Sequence, residues 1–173
     1  MPDMRPKKIA VIMTGGTIAK SYDPSAGRLH NFETKVRDLI ESLRADDLTF
    51  DFVDLMHMDS LDLSEADRAL IVDAVIAASA DNDGVLVTHG TDGMAATGAL
   101  LSDRLPQPPV PIVFTGAMVP YVIAGSDALQ NVTEALLALR LLPAGAYLSF
   151  HNRVLPLQAA RKDYQSLTFL ADP

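Results

Sequence analysis

Two glycine-built turns, each carrying a threonine, are the positions of this chain best suited to chemistry. The first spans Thr14–Thr17 and the second spans Thr88–Asp92. Each turn follows a short apolar run typical of a buried strand, Ile9–Met13 and Val85–Val87. In a parallel sheet both turns lie at the carboxyl ends of strands, where open α/β folds place their ligands. Two threonine hydroxyls in one crevice favour hydroxyl chemistry over cofactor binding.

Polar and small residues also follow the other apolar runs. Asp59 and Ser60 come after the second run, and Gly116 and Ala117 come after the fourth. Taken alone, Ser60 fits an ordinary loop serine, and the small pair fits a tight turn as well as a backbone that approaches a ligand. Asp92 alone fits a helix N-cap. Several such turns converging on one rim of a sheet instead favour a site.

Arg161 and Lys162 lie in a charged cluster near the end of the sequence. On composition the cluster fits a solvated surface. A lysine beside a threonine can also act as a base when burial and neighbouring groups lower its pKa. Both interpretations stay open on the residues alone.

Several other kinds of site are disfavoured by motif. The third glycine of a dinucleotide-binding fingerprint is absent after Gly16, which argues against a cofactor-dependent dehydrogenase. The sequence has no phosphate-loop motif and no Gly-x-Ser-x-Gly elbow. Its four histidines lack metal-ligand spacing, so no metal is expected.

Alternating strand and helix patterns must position these turns. Five apolar runs predict strands: Ile9–Met13, Phe50–Met56, Val85–Thr88, Ile112–Thr115 and Tyr147–Phe150. Four periodic segments predict helices: Glu33–Arg44, Ser64–Ala80, Gly93–Arg104 and Ala128–Leu142. Ser64 and Asp67 resemble a capping box, and Leu129, Val132, Leu136 and Leu139 form one apolar stripe. The order predicts an α/β fold of three layers, a mostly parallel sheet flanked by helices on both faces.

Two segments fit none of these elements. Residues Ala19–Phe32 are predicted to be a polar loop, of the kind that often serves as a functional lid. The segment Val154–Pro173 is consistent with a further strand or a hairpin, and its sequence does not decide between them.

Composition limits the class of protein. A chain of 173 residues, half of them hydrophobic, suits one well-buried domain. A net charge of −8 argues against a nucleic-acid partner. No cysteine, no signal-like apolar core and no apolar run of membrane-spanning length occur, so we expect a cytoplasmic protein without disulfides or a membrane partner.

The motifs together resemble the amino-terminal domain of bacterial-type L-asparaginases, a family of threonine amidohydrolases. The matching segments occur in the family's order over nearly the whole chain: Thr14–Ala19, Asp59–Asp62, Thr88–Met94, Thr115–Met118 and Ser126–Asn131. Among these segments, the combination of Thr14–Thr17 with Thr88–Asp92 is highly specific for the family.

The resemblance implies an enzyme that converts L-asparagine and water to L-aspartate and ammonia without a cofactor. It implies Thr17 as the nucleophile, assisted by Tyr22, with Thr91, Asp92 and Lys162 as a second catalytic group. The implied substrate-binding residues are Gly16, Asp59, Ser60, Gly90, Thr91, Asp92 and Ala117. Ser60 and Asp92 would hold the α-carboxylate and the α-ammonium of the substrate.

Two departures from the family accompany the resemblance. Family members are about twice as long, so we expect a single-domain relative over residues 1–173 that lacks the family's carboxy-terminal domain. The family lysine sits in a longer segment, so Lys162 matches only with a small gap, and Arg161 competes for its place.

Relatives assemble as dimers and tetramers, which predicts a homodimer or homotetramer here.

Two alternatives to an asparaginase remain on the sequence alone. The first is another amidohydrolase, such as a glutaminase or an enzyme that acts on a cyclic or D-configured amide. The second is a non-catalytic module that binds a small amino acid.

Overall fold

A six-stranded sheet is the centre of the computed structural model, which describes residues 7–31 and 34–172. Within this part the strands are β1 Lys7–Gly15, β2 Ser21–Asp23, β3 Arg28–His30, β4 Leu48–Met58, β5 Gly84–Thr88, β6 Pro111–Thr115, β7 Gly145–Phe150, β8 Arg153–Pro156, β9 Ala160–Asp163 and β10 Thr168–Ala171. The α-helices are α1 Val36–Glu41, α2 Glu65–Asp81, α3 Met94–Arg104 and α4 Ala128–Leu141.

The strand order in the main sheet is β4-β1-β5-β6-β7-β8. All neighbours run parallel except β7 and β8, which are antiparallel. Met13 is in register with Thr88, and Thr88 with Thr115, so β5 and β6 end level with each other and β1 ends two residues beyond them. The turns that follow these strands are therefore brought to one edge of the sheet.

Side chains alternate between two buried cores on either face of the sheet. In β1, Ile9 and Val11 pack on the face covered by α1 and α4, whereas Ala10 and Ile12 pack on the face covered by α2 and α3. Because both faces are covered, the strands read as continuous apolar runs. The three-layer α/β architecture expected from the sequence is confirmed.

The predicted strands are all present, and each is longer in the structure: β1 by two residues at each end, β5 and β6 by one residue at the start, and β7 by two residues at the start. The second strand was predicted as Phe50–Met56, but β4 extends two residues further at each end. Its residues are mostly half-buried or exposed because β4 lies at the edge of the sheet. Polar residues alternate with apolar ones at the ends of such a strand, so an apolar run does not extend over its full length.

Three helix predictions agree with the structure within one residue at each end, and the capping box of Ser64 and Asp67 is present. The first helix is shorter than Glu33–Arg44: α1 ends at Glu41, and Glu33 lies outside the described residues. The Ser42 hydroxyl donates to the Leu39 carbonyl, which competes with continuation of the helix. The predicted stripe of α4 is wrong at Leu129, which is exposed, because the buried face passes through Ala128 instead.

The two segments that fit none of the predicted elements both contain hairpins, so the prediction of a polar loop at 19–32 is wrong for its greater part. Most of the predicted polar loop at 19–32 folds into a short 3₁₀ turn, Thr17–Ala19, followed by the β2–β3 hairpin; Phe32 lies outside the described residues. The C-terminal segment supplies β8 to the main sheet and the separate β9–β10 hairpin. In the part of the chain that the structure describes, no helix is long and apolar enough to cross a membrane.

Candidate active site

Glycines allow three turns at the carboxyl edge of the sheet to touch. Gly16 has a φ of 79°, and a Cβ built on it would lie 2.4 Å from the Gly90 Cα. A Cβ on Gly90 would in turn lie 2.5 Å from the Ser60 Cβ. No side chain fits at either contact, so glycine is required for this packing. The turns that carry Thr17, Thr91 and Ser60 are therefore held in one cluster.

Thr17 begins the 3₁₀ turn directly after Gly16 and is half-buried. Tyr22 lies on β2, five residues further along, and is 59% exposed. Its strand neighbours Ser21 and Asp23 are buried, so Tyr22 projects from the opposite side of the hairpin. Within the described residues, neither the Thr17 hydroxyl nor the Tyr22 hydroxyl makes a hydrogen bond, so the two are not hydrogen-bonded to each other.

Thr91, Asp92 and Lys162 do come together. The Lys162 Nζ lies 2.8 Å from the Thr91 Oγ1 and 2.8 Å from the Asp92 Oδ1. Lys162 reaches them from β9, about seventy residues away in sequence. Arg161, its sequence competitor, pairs instead with Asp172 at 2.8 Å. Lys162, rather than Arg161, is therefore the residue that contacts Thr91.

The electrostatics of Asp92 follow from these contacts. Burial alone would raise the pKa of its carboxyl, but hydrogen bonds from Lys162 and Tyr164 outweigh burial and hold the pKa below its ordinary value. Asp92 is therefore an anion at neutral pH. It does not cap α3 through its side chain, because the N-cap position is Gly93.

Ser60 caps α3 from another part of the chain. Its Oγ accepts a hydrogen bond of 3.0 Å from the Gly93 backbone N–H, and the residue is buried. The bond satisfies a free N–H group at the start of a helix. The Ser60 O–H remains able to donate to a ligand or a water.

Asp59, next to Ser60, forms an ion pair with Lys20 at 2.9 Å. The hydrogen bond from Lys20 is the main reason that the pKa of Asp59 lies below its ordinary value. The pair connects the segment after Thr17 to the Ser60 turn. A cavity of about 360 Å³ opens beside it, lined by Lys20, His30, Asp59 and Asp62 among others.

The turn at Ala117 is held by the carboxylate of Asp127. That carboxylate accepts backbone N–H groups of Met118 and Val119 at 3.0 Å and faces the His151 Nε2 at 2.8 Å. Ala117 itself is buried and packs in the core.

His89 is a buried structural residue of the second threonine turn. Its ring nitrogens lie 2.8 Å from the Gly90 carbonyl oxygen and 2.9 Å from the Thr97 Oγ1. Burial is the main cause that lowers the pKa of His89 to about 4. No group of three or more metal-ligating side chains occurs within residues 7–31 and 34–172.

Sequence reasoning missed two contacts in this cluster. Lys20 was not identified as the partner of Asp59, and Tyr164 was not identified as a donor to Asp92. Tyr164 lies in the turn directly after β9, and no local sequence pattern indicates that its hydroxyl reaches Asp92.

Comparison with known proteins decides the family. The model of the amino-terminal asparaginase domain matches residues 8–168. The chain belongs to the asparaginase family. This confirms the resemblance drawn from the threonine turns, and the fold is that of the asparaginases.

Similar proteins include L-asparaginases and amidotransferase subunits. The L-asparaginase of Thermococcus kodakarensis is 32% identical over 148 residues, which are 86% of this chain and 45% of the relative. A glutamyl-tRNA(Gln) amidotransferase subunit of Thermoplasma acidophilum is 34% identical over 134 residues, 75% of this chain and 32% of that protein.

A solved structure supports the same relationship. The thermostable L-asparaginase from Thermococcus kodakarensis superposes with a TM-score of 0.85 at 31% identity, covering 95% of this chain and 51% of the other. The asparaginase-family chain therefore spans about half the length of the L-asparaginase that it matches.

Proposed function

We propose that this asparaginase-family chain is an amidohydrolase that converts L-asparagine and water to L-aspartate and ammonia. The observation that carries the proposal is the contact of one ammonium, Lys162 Nζ, with both Thr91 and Asp92 at 2.8 Å. This contact lies in a cluster of turns that also contains Thr17 and Ser60. Membership of the family supports amide hydrolysis as the reaction class.

Thr17 is proposed as the nucleophile. Its Oγ1 gives up its proton and attacks the side-chain amide carbon, and the C–N bond then breaks. The departing nitrogen takes up that proton and leaves as ammonia, and an aspartyl ester remains on the threonine. Water then attacks the ester and releases aspartate. Because a threonine hydroxyl is a weak nucleophile, a base must take its proton, and Tyr22 is proposed to assist. Tyr22 is exposed, and its contact with Thr17 is proposed to form when substrate binds.

Thr91, Asp92 and Lys162 form the proposed second catalytic group. Lys162 moves a proton to or from the Thr91 hydroxyl, and Asp92 fixes the lysine by an ion pair. Backbone N–H groups of the glycine turns supply donors for the negative charge that develops on the amide oxygen.

The amino-acid end of the substrate is proposed to bind at Ser60 and Asp92. The Ser60 O–H can donate to the α-carboxylate, and the Asp92 anion attracts the α-ammonium. Gly16, Gly90 and Ala117 contribute backbone to the pocket. Asp59, whose carboxylate already binds Lys20, is proposed to act mainly by fixing the Ser60 turn.

L-Glutamine remains the alternative substrate. The amidotransferase subunits among the relatives support a test of the longer amide. We keep a homodimer or homotetramer, a cytoplasmic location and a reaction without cofactor as predictions.

Ammonia release from L-asparagine and L-glutamine by the purified protein tests the proposal. We expect release from asparagine that falls more than about 10³-fold in Thr17→Ala. Thr133→Ala, an exposed threonine on α4, is the matched control and should keep wild-type activity. Preference for glutamine would replace the substrate assignment. A folded protein that binds L-aspartate but releases no ammonia would contradict hydrolysis and favour an amino-acid-binding module.

A further inference from the structure

Tyr164 contacts two members of the proposed catalytic group, although the family resemblance assigns it no role. It lies in the turn between β9 and β10. Its hydroxyl donates to the Asp92 Oδ1 at 2.8 Å, and its ring centroid lies 4.8 Å from the Lys162 Nζ. These are the two groups that hold each other beside Thr91.

We propose that Tyr164 is a positioning residue of this site: its hydroxyl orients the Asp92 carboxylate, and its ring covers the Lys162 ammonium. The inference rests on the proposed function, because it gives each of the two contacts a role in amide hydrolysis.

The Tyr164 hydroxyl determines which oxygen of the Asp92 carboxylate remains available to a ligand. Lys162 and Tyr164 both donate to Oδ1 of Asp92. Among the described residues, Lys162 and Tyr164 are the hydrogen-bond donors to this carboxylate, and both are at Oδ1. Two donors on one oxygen hold the carboxylate plane and leave Oδ2 for a cationic group, which the proposed function identifies as the α-ammonium of the substrate.

The hydroxyl remains a donor over a wide pH range. The hydrogen bond to Asp92 raises the pKa of the Tyr164 phenol above its ordinary value, so the phenol stays protonated at neutral and mildly alkaline pH. It therefore keeps Asp92 charged while the reaction proceeds.

The ring forms the outer layer of the cluster. The Lys162 side chain is only 12% exposed, whereas Tyr164 is 65% exposed. A cation over an aromatic ring at this distance is attracted to the π-face. The ring thus limits the access of water to the lysine without being part of the core.

The turn itself is fixed independently of Tyr164. Ser166 donates its backbone N–H and its hydroxyl to the Asp163 carboxylate. A substitution at Tyr164 should therefore leave the hairpin folded, and Ser166→Ala provides a control that loosens the same turn without removing a contact to Asp92.

The experiment compares wild type, Tyr164→Phe, Tyr164→Leu and Ser166→Ala in ammonia release, with ¹³C NMR titration of the Asp92 carboxyl as a readout that does not depend on turnover. Phe keeps the ring, so we expect KM for L-asparagine to rise about 5-fold with kcat within 2-fold. Leu removes both contacts, and kcat should also fall about 10-fold. In both variants the pKa of Asp92 should rise, because a hydrogen bond to its charged form is lost.

Each outcome decides a separate question. Wild-type values of KM, kcat and the Asp92 titration in Tyr164→Phe would overturn the inference and leave the proposed function intact. Equal kinetic losses in Ser166→Ala would assign the effect to the turn and also overturn it. A wild-type protein without ammonia release would overturn the proposed function, and the inference with it.

Discussion

Lys162 joins the Thr91 turn to the C-terminal hairpin, and its neighbour Arg161 provides a test of that contact. Lys162 bonds Thr91 and Asp92, whereas Arg161 forms an exposed pair with Asp172. Lys162→Met should lower kcat/KM for ammonia release by at least about 10²-fold, because the proposed proton-transfer group and the partner of the Asp92 carboxylate are lost. Arg161→Met should stay within about 2-fold, since exposed pairs contribute little. Equal losses in both variants would contradict the assignment.

At the scale of single residues, the sequence predicts which residues form the candidate site better than it predicts which residues they contact. Thr91, Asp92 and Lys162 could be singled out because motifs and a resemblance contain them, and the structure brings them together. The bonds of Lys20 to Asp59 and of Tyr164 to Asp92 join residues 39 and 72 positions apart. Such pairs depend on how hairpins fold back on the sheet, which no local pattern specifies.

At the scale of elements, the glycine contacts between turns determine whether the site assembles. Gly16→Ala should destabilise the protein by about 1–3 kcal/mol, because its Cβ would collide with the Gly90 backbone and its φ of 79° disfavours alanine. Activity should fall as well, since the Thr17 and Thr91 turns would be pushed apart. Urea unfolding and ammonia release measure the two effects.

Gly125→Ala is the control that separates the effect of a steric collision from the effect of backbone strain in Gly16→Ala. Gly125 also has a positive φ, 81°, but nothing lies within 4 Å of a Cβ built there. Its substitution should cost only the strain, on the order of 1 kcal/mol, with activity retained. A stable, active Gly16→Ala would show that the turns do not need this close contact.

The sequence predicts the parallel strands and the long helices because buried elements carry a strong periodic signal. It fails where burial is partial. The β2–β3 hairpin has only three residues in each strand and was predicted as a loop, and α1 is half the predicted length. Short elements of this kind are fixed by contacts such as the Asp23 carboxylate binding Ser25 across the hairpin turn, rather than by periodicity.

At the scale of the whole molecule, His89 links stability to pH. It is fully buried beneath the Thr91 turn, and burial lowers its pKa to about 4, against an ordinary value near 6.5. Between these two values the unfolded chain binds a proton at this position and the folded protein does not. The contribution of His89 to stability is therefore complete above about pH 6.5 and is lost as the pH falls towards 4.

Urea unfolding of wild type, His89→Asn and His57→Asn between pH 7 and pH 4 tests this linkage. The pKa difference corresponds to a loss on the order of 3 kcal/mol for wild type over the window. His89→Asn should begin less stable, because a buried imidazole with two hydrogen-bond partners is replaced, but should show a much flatter pH dependence. His57→Asn, at a half-exposed position on β4, should keep the wild-type slope. If the His89→Asn curve runs parallel to wild type, the acid sensitivity arises elsewhere, and the buried ring of His89 does not limit stability at low pH.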